Sequence, residues 1–408
     1  MKYKSLARFG STLAGFLAMA LAIMAAAVGA QAGEKVILPF DKTHGSYPRS
    51  SLTADSAGNL YGTTAFGGAA NCGTVFELSP GSAGKWTETV LYSFTGCDIA
   101  TLTPLGTLSI DIQGNLYGVQ DGFIYSGVVF ELKKAANGNW SYGVLHNFGG
   151  NGNEGSPNGD LTWDGAGNLY GTTSENTEEF AGEAFELSPQ PNGSWRETVL
   201  YTFPSPNGVG DPVAGVVFDK KGNLYGATFY GSKGAFGAVY ELSPQASGPW
   251  TLTVLANFAH ARIPNARLIF DSSGNLYGTT GQINTSEVFE LSPVSGGTWK
   301  ETTIHSFTPL SDGQDPVGAL IFDASGNLYG ATSEGGTGCN QFLCGTVFKL
   351  APQSNGTWKE TILHQFESAT DGSEPQEGLI VDNSGNLYGT TAAGGSRYGY
   401  GTVFEITP

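Results

Sequence analysis

The sequence predicts an all-β protein, a seven-bladed β-propeller of four-stranded antiparallel blades closed by its own N-terminal strand. Three observations predict it. The motif D-x-x-G-N-L-Y-G begins at Asp55, Asp111, Asp164, Asp219, Asp271, Asp323 and Asp382, at intervals of 56, 53, 55, 52, 52 and 59 residues. A repeat of this length marks a supersecondary unit that buries its apolar surface only against neighbouring copies. Each copy holds four short apolar runs separated by turn residues, which reads as an antiparallel meander and hence a propeller blade. The 408 residues include 61 Gly, 12% aromatic and only 13% charged residues, a composition suited to short strands and tight turns rather than helices. The repeat overrides the two or three domains that length alone would suggest.

Within a copy the first run ends at the repeated aspartate, as in Ala319 to Asp323. Asp accepts backbone hydrogen bonds at the start of a turn, and the Gly three residues later supplies a positive φ. Seven equivalent carboxylates therefore read as a scaffold device, not a catalytic one. The second run is N-L-Y-G-T-T, as in Asn59 to Thr64, and the third is G-T-V-F-E-L-S-P, as in Gly73 to Pro80. Its glutamate recurs as Glu77, Glu131, Glu186, Glu241, Glu290 and Glu405, but Lys349 replaces it once, which reads as a solvated flank. The fourth run spans a Trp and a Phe eight residues later, as in Trp86 to Phe94. Each Trp is expected to cover the outer edge of its blade. His146, His305 and His364 stand where other copies carry Tyr92, Tyr201 or Ala256, which reads as packing rather than metal ligation. His44 and His260 fall in different copies and form no metal site by spacing.

The last copy stops after its third run, Thr402 to Pro408, and the missing fourth run matches Lys35 to Phe40 at the other end of the chain. The N-terminal strand is thus expected to complete the last blade and remove two exposed sheet edges.

Residues 1–32 read as a signal peptide: Lys2, Lys4 and Arg8 precede an apolar run from Leu13 to Val28 and the small-residue site Ala30-Gln31-Ala32. Residues 33–408 then form one propeller domain, exported to the periplasm or the medium. Removing residues 1–32 takes away three positive charges and moves the net charge from −17 to −20. Such a surface repels phosphate backbones and anionic lipid, so nucleic acid and the membrane are excluded as partners. Four cysteines fit an oxidising compartment. Cys72 and Cys97 fall at neighbouring ends of one hairpin and are expected to pair, as are Cys339 and Cys344 within G-C-N-Q-F-L-C-G.

The D-x-x-G-N-L-Y-G, G-T-V-F-E-L-S-P and W-x-E-T-V-L-Y-x-F runs together resemble the GloVer-type (choice-of-anchor) tandem-repeat proteins exported by bacteria, over nearly all of residues 33–408. The D-x-x-G-N-L-Y core is more distantly similar to NHL and streptogramin-lyase-like propellers. The resemblance implies an exported propeller and no particular activity. It also implies a C-terminal anchoring segment, from which this chain departs by ending on its last strand.

In such a ring the loops between blades share one face with the loops joining second to third strands. This face varies between copies, whereas the D-x-x-G-N and S-P-x-x-x-G-x-W turns of the opposite face are uniform, so the variable face is where a site is expected. Its candidates are Asp211, Asp312, Asp315 and Asp371 among the acids, with calcium as the one cofactor such loops would take. The scarce cations Arg49, Arg262, Arg267 and Arg397 fall on or beside it, with Tyr398, Tyr400, Phe229, Tyr230 and Phe180 as aromatic surface. Arg267 and Asp160 occupy the same innermost-strand position two blades apart and are expected near the central channel. No G-x-S-x-G elbow, H-E-x-x-H, phosphate loop or dinucleotide fingerprint is present. The expectation is a monomeric, non-catalytic binding propeller for a glycan, peptide or protein, without metal or other cofactor. The alternative is a lyase or hydrolase of a polysaccharide or lactone with its site at the channel mouth.

Overall fold

The computed structural model describes residues 33–408, apart from residues 96, 98–102, 123–125, 150–154, 175–179, 205–207, 260–261, 282–285, 310, 338–343, 368–369 and 396–398. Seven antiparallel sheets follow one another along the chain; six have their strands in sequence order from the first to the fourth run, and the seventh takes its fourth strand from the N-terminus. Blade six is representative, with strands Gln314–Phe322, Leu328–Glu334, Thr346–Pro352 and Trp358–Gln365. No helix among the described residues is long and apolar enough to cross a membrane.

Ring closure follows the expectation. The strand Gly33–Pro39 pairs antiparallel with Thr402–Thr407, from Gly33 opposite Thr407 to Pro39 opposite Thr402, and becomes the outermost strand of blade seven. Phe40, 2% exposed, then packs edge-on to Phe76 of blade one at 5.3 Å. The Cys72–Cys97 disulfide forms with Cα atoms 5.5 Å apart. Cys344 is also disulfide-bonded, and its expected partner Cys339 lies outside the described residues.

The repeated aspartate is a turn device in all seven blades. In blade six, Asp323 Oδ1 accepts the N–H groups of Ser325 and Asn327, while Oδ2 accepts Asn327 Nδ2 and the Tyr329 hydroxyl. The turn glycine Gly326 has φ +80°. The glycine after the motif tyrosine serves packing instead. A Cβ on Gly330 would lie 2.5 Å from Phe348 Cζ and 2.9 Å from Leu320, so its absence makes room for the buried Phe of the third strand.

The third-strand glutamates are not the solvated flank expected. Glu77, Glu186, Glu241 and Glu290 accept the hydroxyl of the Ser two residues on, and Glu131 and Glu405 accept the motif tyrosines Tyr117 and Tyr388. Where Lys349 replaces the glutamate, its ammonium stands 5.4 Å from the centre of the Tyr329 ring. A charge reversal is tolerated because the same tyrosine offers a hydroxyl to an acid or a π-face to a cation. The tryptophans also do more than cover an edge: Trp86, Trp195, Trp299 and Trp358 each meet the motif tyrosine of the preceding blade, as with Trp299 on Tyr225 at 6.1 Å and Trp358 on Tyr277 at 6.3 Å, and Trp140 and Trp250 pack into the clusters that hold Tyr61 and Tyr170. The blades are therefore joined through aromatic seams.

A second seam is built by a β-bulge. In every fourth strand the register slips at one residue, such as Leu91 between Val90 and Tyr92 or Ile304 between Thr303 and His305. An extra residue re-aims the side chains that follow, and the residue after the bulge meets the next blade's fourth strand. Tyr92 stacks on Tyr142 at 5.0 Å, whereas His146 lies 3.4 Å from Glu197 and His305 lies 3.3 Å from Glu360. The histidines therefore do not merely fill space as tyrosine would: each is matched to a carboxylate, whereas Tyr92 is matched to Tyr142. At Ala256 the cation comes from the following loop instead, where Arg262 Nη2 reaches Glu301 at 2.6 Å.

Candidate binding face and axial site

On the variable face the exposed aromatics gather. Among the described residues, the exposed Phe and Tyr side chains are Tyr47, Phe66, Phe229, Tyr230 and Phe236, between 36% and 50% exposed, and all lie at this face's strand ends or loops. Tyr47 and Phe66 meet edge-on at 5.8 Å on blade one, and Phe229 and Tyr230 at 5.0 Å on blade four. Tyr47, Asp211, Asp315 and Glu374 hold equivalent left-handed positions, φ 52–58°, each directly before a proline at the start of an innermost strand. Such backbone costs on the order of 1 kcal/mol per residue and is kept where the surroundings hold it.

The loop acids do not converge. Asp315 is half-buried with Oδ2 accepting Ser333 Oγ, and Asp371 is buried and takes His364 Nε2 at 3.0 Å along with the Glu367 N–H. Asp312 Oδ1 accepts the Thr308 N–H and Ser311 Oγ, and Asp211 is half-buried on blade four. Among the described residues Asp211, Asp312, Asp315 and Asp371 assemble no common oxygen cage of the kind calcium takes. Arg49 is exposed and its charge acts on Glu374, whose carboxyl is nonetheless pushed up by burial and by Glu334. Arg262 is held between Glu287 and Glu301, each 2.6 Å away, and lies over the Phe258 ring. Arg397, Tyr398 and His260 lie outside the described residues, as does the side chain of Phe180.

Asp160 and Arg267 do come together in the channel, as their shared strand position predicts. Arg267 Nη1 is 4.0 Å from Asp160 Oδ2, and Nη2 donates to Thr162 Oγ1 at 3.2 Å. Asp160 Oδ1 accepts the Thr107 N–H at 2.7 Å, which fixes the carboxylate. A third charged residue, Glu377, lines the same cavity of about 100 Å³ together with Gly106, Gly215 and Gly318. Burial within the ring, reinforced by the negative charge of Asp160, pushes the Glu377 carboxyl up to about 8, and the Gly378 N–H offsets this in part. Glu377 was not among the residues singled out from the sequence. The signal was present: aligned on the motif, its place is held by Ser50, Gly106, Gly159, Ala214, Ala266 and Gly318. Seven small residues would leave an open bore, and one long acid narrows it.

The uniform face, expected to be purely structural, carries two depressions at blade seams. One of about 390 Å³ lies over Tyr225, Phe270 and Trp299, and one of about 570 Å³ over Tyr117, Trp163 and Trp195. Their aromatic floors are the inter-blade packing itself, and their aspartates are spent on turns.

The model of the Gloeobacter/Verrucomicrobia repeat matches residues 27–210 and 190–404. The chain belongs to this repeat family. No curated protein matches it. Among solved structures, the extracellular domain assigned to a hybrid two-component system of B. thetaiotaomicron is similar at 12% identity and TM-score 0.57, over 91% of this chain and 39% of that one. A Lactobacillus plantarum protein is similar at 14% identity and TM-score 0.52, over 82% of this chain and 95% of that one. These likenesses support the fold of this repeat protein. A gluconolactonase from Xanthomonas campestris matches at 14% identity and TM-score 0.42, over 92% and 89% of the two chains, too distant for its activity to bear on this one.

Proposed function

We propose that this repeat protein is an exported, non-catalytic binding propeller that holds a neutral or basic glycan on its variable face. The observation that carries the reading is the confinement of all the exposed Phe and Tyr side chains described above to that face. Exposed aromatic rings lose apolar hydration when covered, and flat rings suit the C–H faces of sugars. The neighbouring loop acids offer acceptors for hydroxyl or ammonium groups, and the negative net charge disfavours anionic chains. Export is supported by the disulfide and by the basic, apolar and small-residue pattern of residues 1–32.

One observation favours an enzyme instead: a carboxyl holding its proton near neutrality beside Asp160 and Arg267 has the character of a general acid. Its cavity of about 100 Å³ has room for about three waters, well below the ~300 Å³ of ordinary small-molecule sites. The binding reading is the stronger on that ground. A glycan array probed with the wild type and with the double variant Phe229→Ala/Tyr230→Ala tests it. Binding to uncharged or amino-sugar chains, weakened at least ~10-fold in the variant, is expected. Absence of binding by the wild type, or equal binding by the variant, would overturn the proposal.

A further inference from the structure

Joints between blades differ in how tightly they gather ligating atoms. Between blades five and six, His305 Nε2 lies 3.3 Å from Asp312 Oδ2 and 3.3 Å from Glu360 Oε1. Among the described residues this is the one group of three His, Cys, Asp or Glu side chains whose ligand atoms all fall within 4.8 Å of one another. All three side chains are mostly buried, at 15–19% exposure. His305 Nε2 and Glu360 Oε1 are themselves buried, and neither makes a well-aligned hydrogen bond. An ion pair drawn together for its own sake would close to an aligned contact near 2.8 Å. These atoms stop short of that. Ligands ~2.0–2.1 Å from a tetrahedral zinc ion stand ~3.3 Å from one another, the separation found on both sides of Nε2.

The ligands are also oriented from behind. Asp312 Oδ1 is taken by the Thr308 N–H and Ser311 Oγ, which leaves Oδ2 facing His305. Such outer contacts set a ligand's aim. The bulge at Ile304 presents His305 to the next blade, and Glu360 comes from that blade's own fourth strand. The adjacent joint is an internal comparison. There His364 Nε2 makes an ordinary hydrogen bond to Asp371 at 3.0 Å, and the equivalent acid, Glu34, does not close a three-atom group.

We propose that His305, Asp312 and Glu360 form a divalent transition-metal site of the zinc class, with one imidazole nitrogen, two carboxylate oxygens and a fourth position left to water. The ligand set of one nitrogen and two oxygens suits zinc better than calcium or magnesium, which prefer oxygen alone. The site spans two blades, so the ion clips the joint.

The test is calorimetric titration of the chelator-treated full chain with zinc chloride at pH 7.5. One equivalent should bind. Asp312→Asn and Glu360→Gln should each weaken binding at least ~10-fold, while His364→Gln in the adjacent joint leaves it unchanged. Asp312 lies in a loop, so its variant remains informative if Glu360→Gln fails to fold. Absence of zinc uptake, equal uptake by wild type and Asp312→Asn, or loss of uptake in His364→Gln would each overturn the site.

Discussion

The two faces of the ring use their carboxylates in opposite ways. On the uniform face every motif aspartate does the same work, accepting two backbone N–H groups, an asparagine amide and a tyrosine hydroxyl, as at Asp164 and Asp382. Burial opposes ionisation at Asp164, Asp323 and Asp382, yet these donors outweigh it and lower each pKa. On the variable face only Asp312 and Asp371 repeat a pattern, each taking the N–H four residues before it and facing the histidine seven before it, and Asp315 and Glu374 are pushed upward by burial and like charge. Repetition there gives way to differences between blades, and the aromatics left in water appear on that side. A propeller can spend one face on holding its turns because the other is then free to vary.

The severest way to break the contrast is to open the ring on which both faces depend. A chain beginning at residue 41 would lose the strand opposite Thr402–Thr407, the Lys35 contacts to Glu405 and Gly84, and the buried Phe40. It would expose a long sheet edge and loosen the joint between blades seven and one. Melting is expected to fall by more than ~10 °C, with self-association, since a whole seam of apolar contacts goes with it. Circular dichroism melts and light scattering check this; a monomer melting like the chain from residue 33 would refute closure.

A smaller effect separates the faces directly. Asp323→Ala removes four hydrogen bonds and strands the Tyr329 hydroxyl. The loss should be about 2 kcal/mol, given the modest net worth of each bond at a part-exposed site. Because the folded pKa of Asp323 is lowered, its stabilisation is present above the unfolded value of about 3.8 and is lost as pH falls through the folded one. The variant and wild type should therefore differ most near neutrality and converge in strong acid. Denaturant titrations at pH 7 and pH 3 that show an equal gap would contradict the turn role.

How far the sequence alone could reach follows the same division. The blades, their order, the closing strand and the Cys72–Cys97 bridge were legible because each rests on spacing within one strand or hairpin. The turn role of the aspartates was legible because Asp, Gly and Asn at those intervals encode local backbone geometry. The seams were not. His305 looked like a packing substitute for tyrosine because its partners, Asp312 and Glu360, belong to a later loop and another blade. The third-strand glutamates looked solvated for a similar reason: the tyrosine that reaches Glu131 comes from a neighbouring strand. Glu377 was missed although its small-residue equivalents were in view, since what gives it consequence is the approach of Asp160 across the axis.

Glu377 offers the finest test, because it is the variable element placed inside the most regular region of the ring. Its folded pKa of about 8 lies above the ordinary value of 4.5. Between these values the unfolded chain releases a proton that the folded one keeps, so folding loses stability as pH rises, until the folded carboxyl also ionises. Glu377→Gln has nearly the same shape and no proton to lose. The variant should match the wild type at pH 4 and melt above it, by ~2–5 °C, at pH 8. Arg267 shares the cavity and can take some of the charge, which sets the modest size of the gain. A wild type whose melting, relative to Glu377→Gln, does not decline between pH 4 and pH 8 would mean that channel water solvates the carboxylate fully. The bore would then be an open pore rather than a narrowed one.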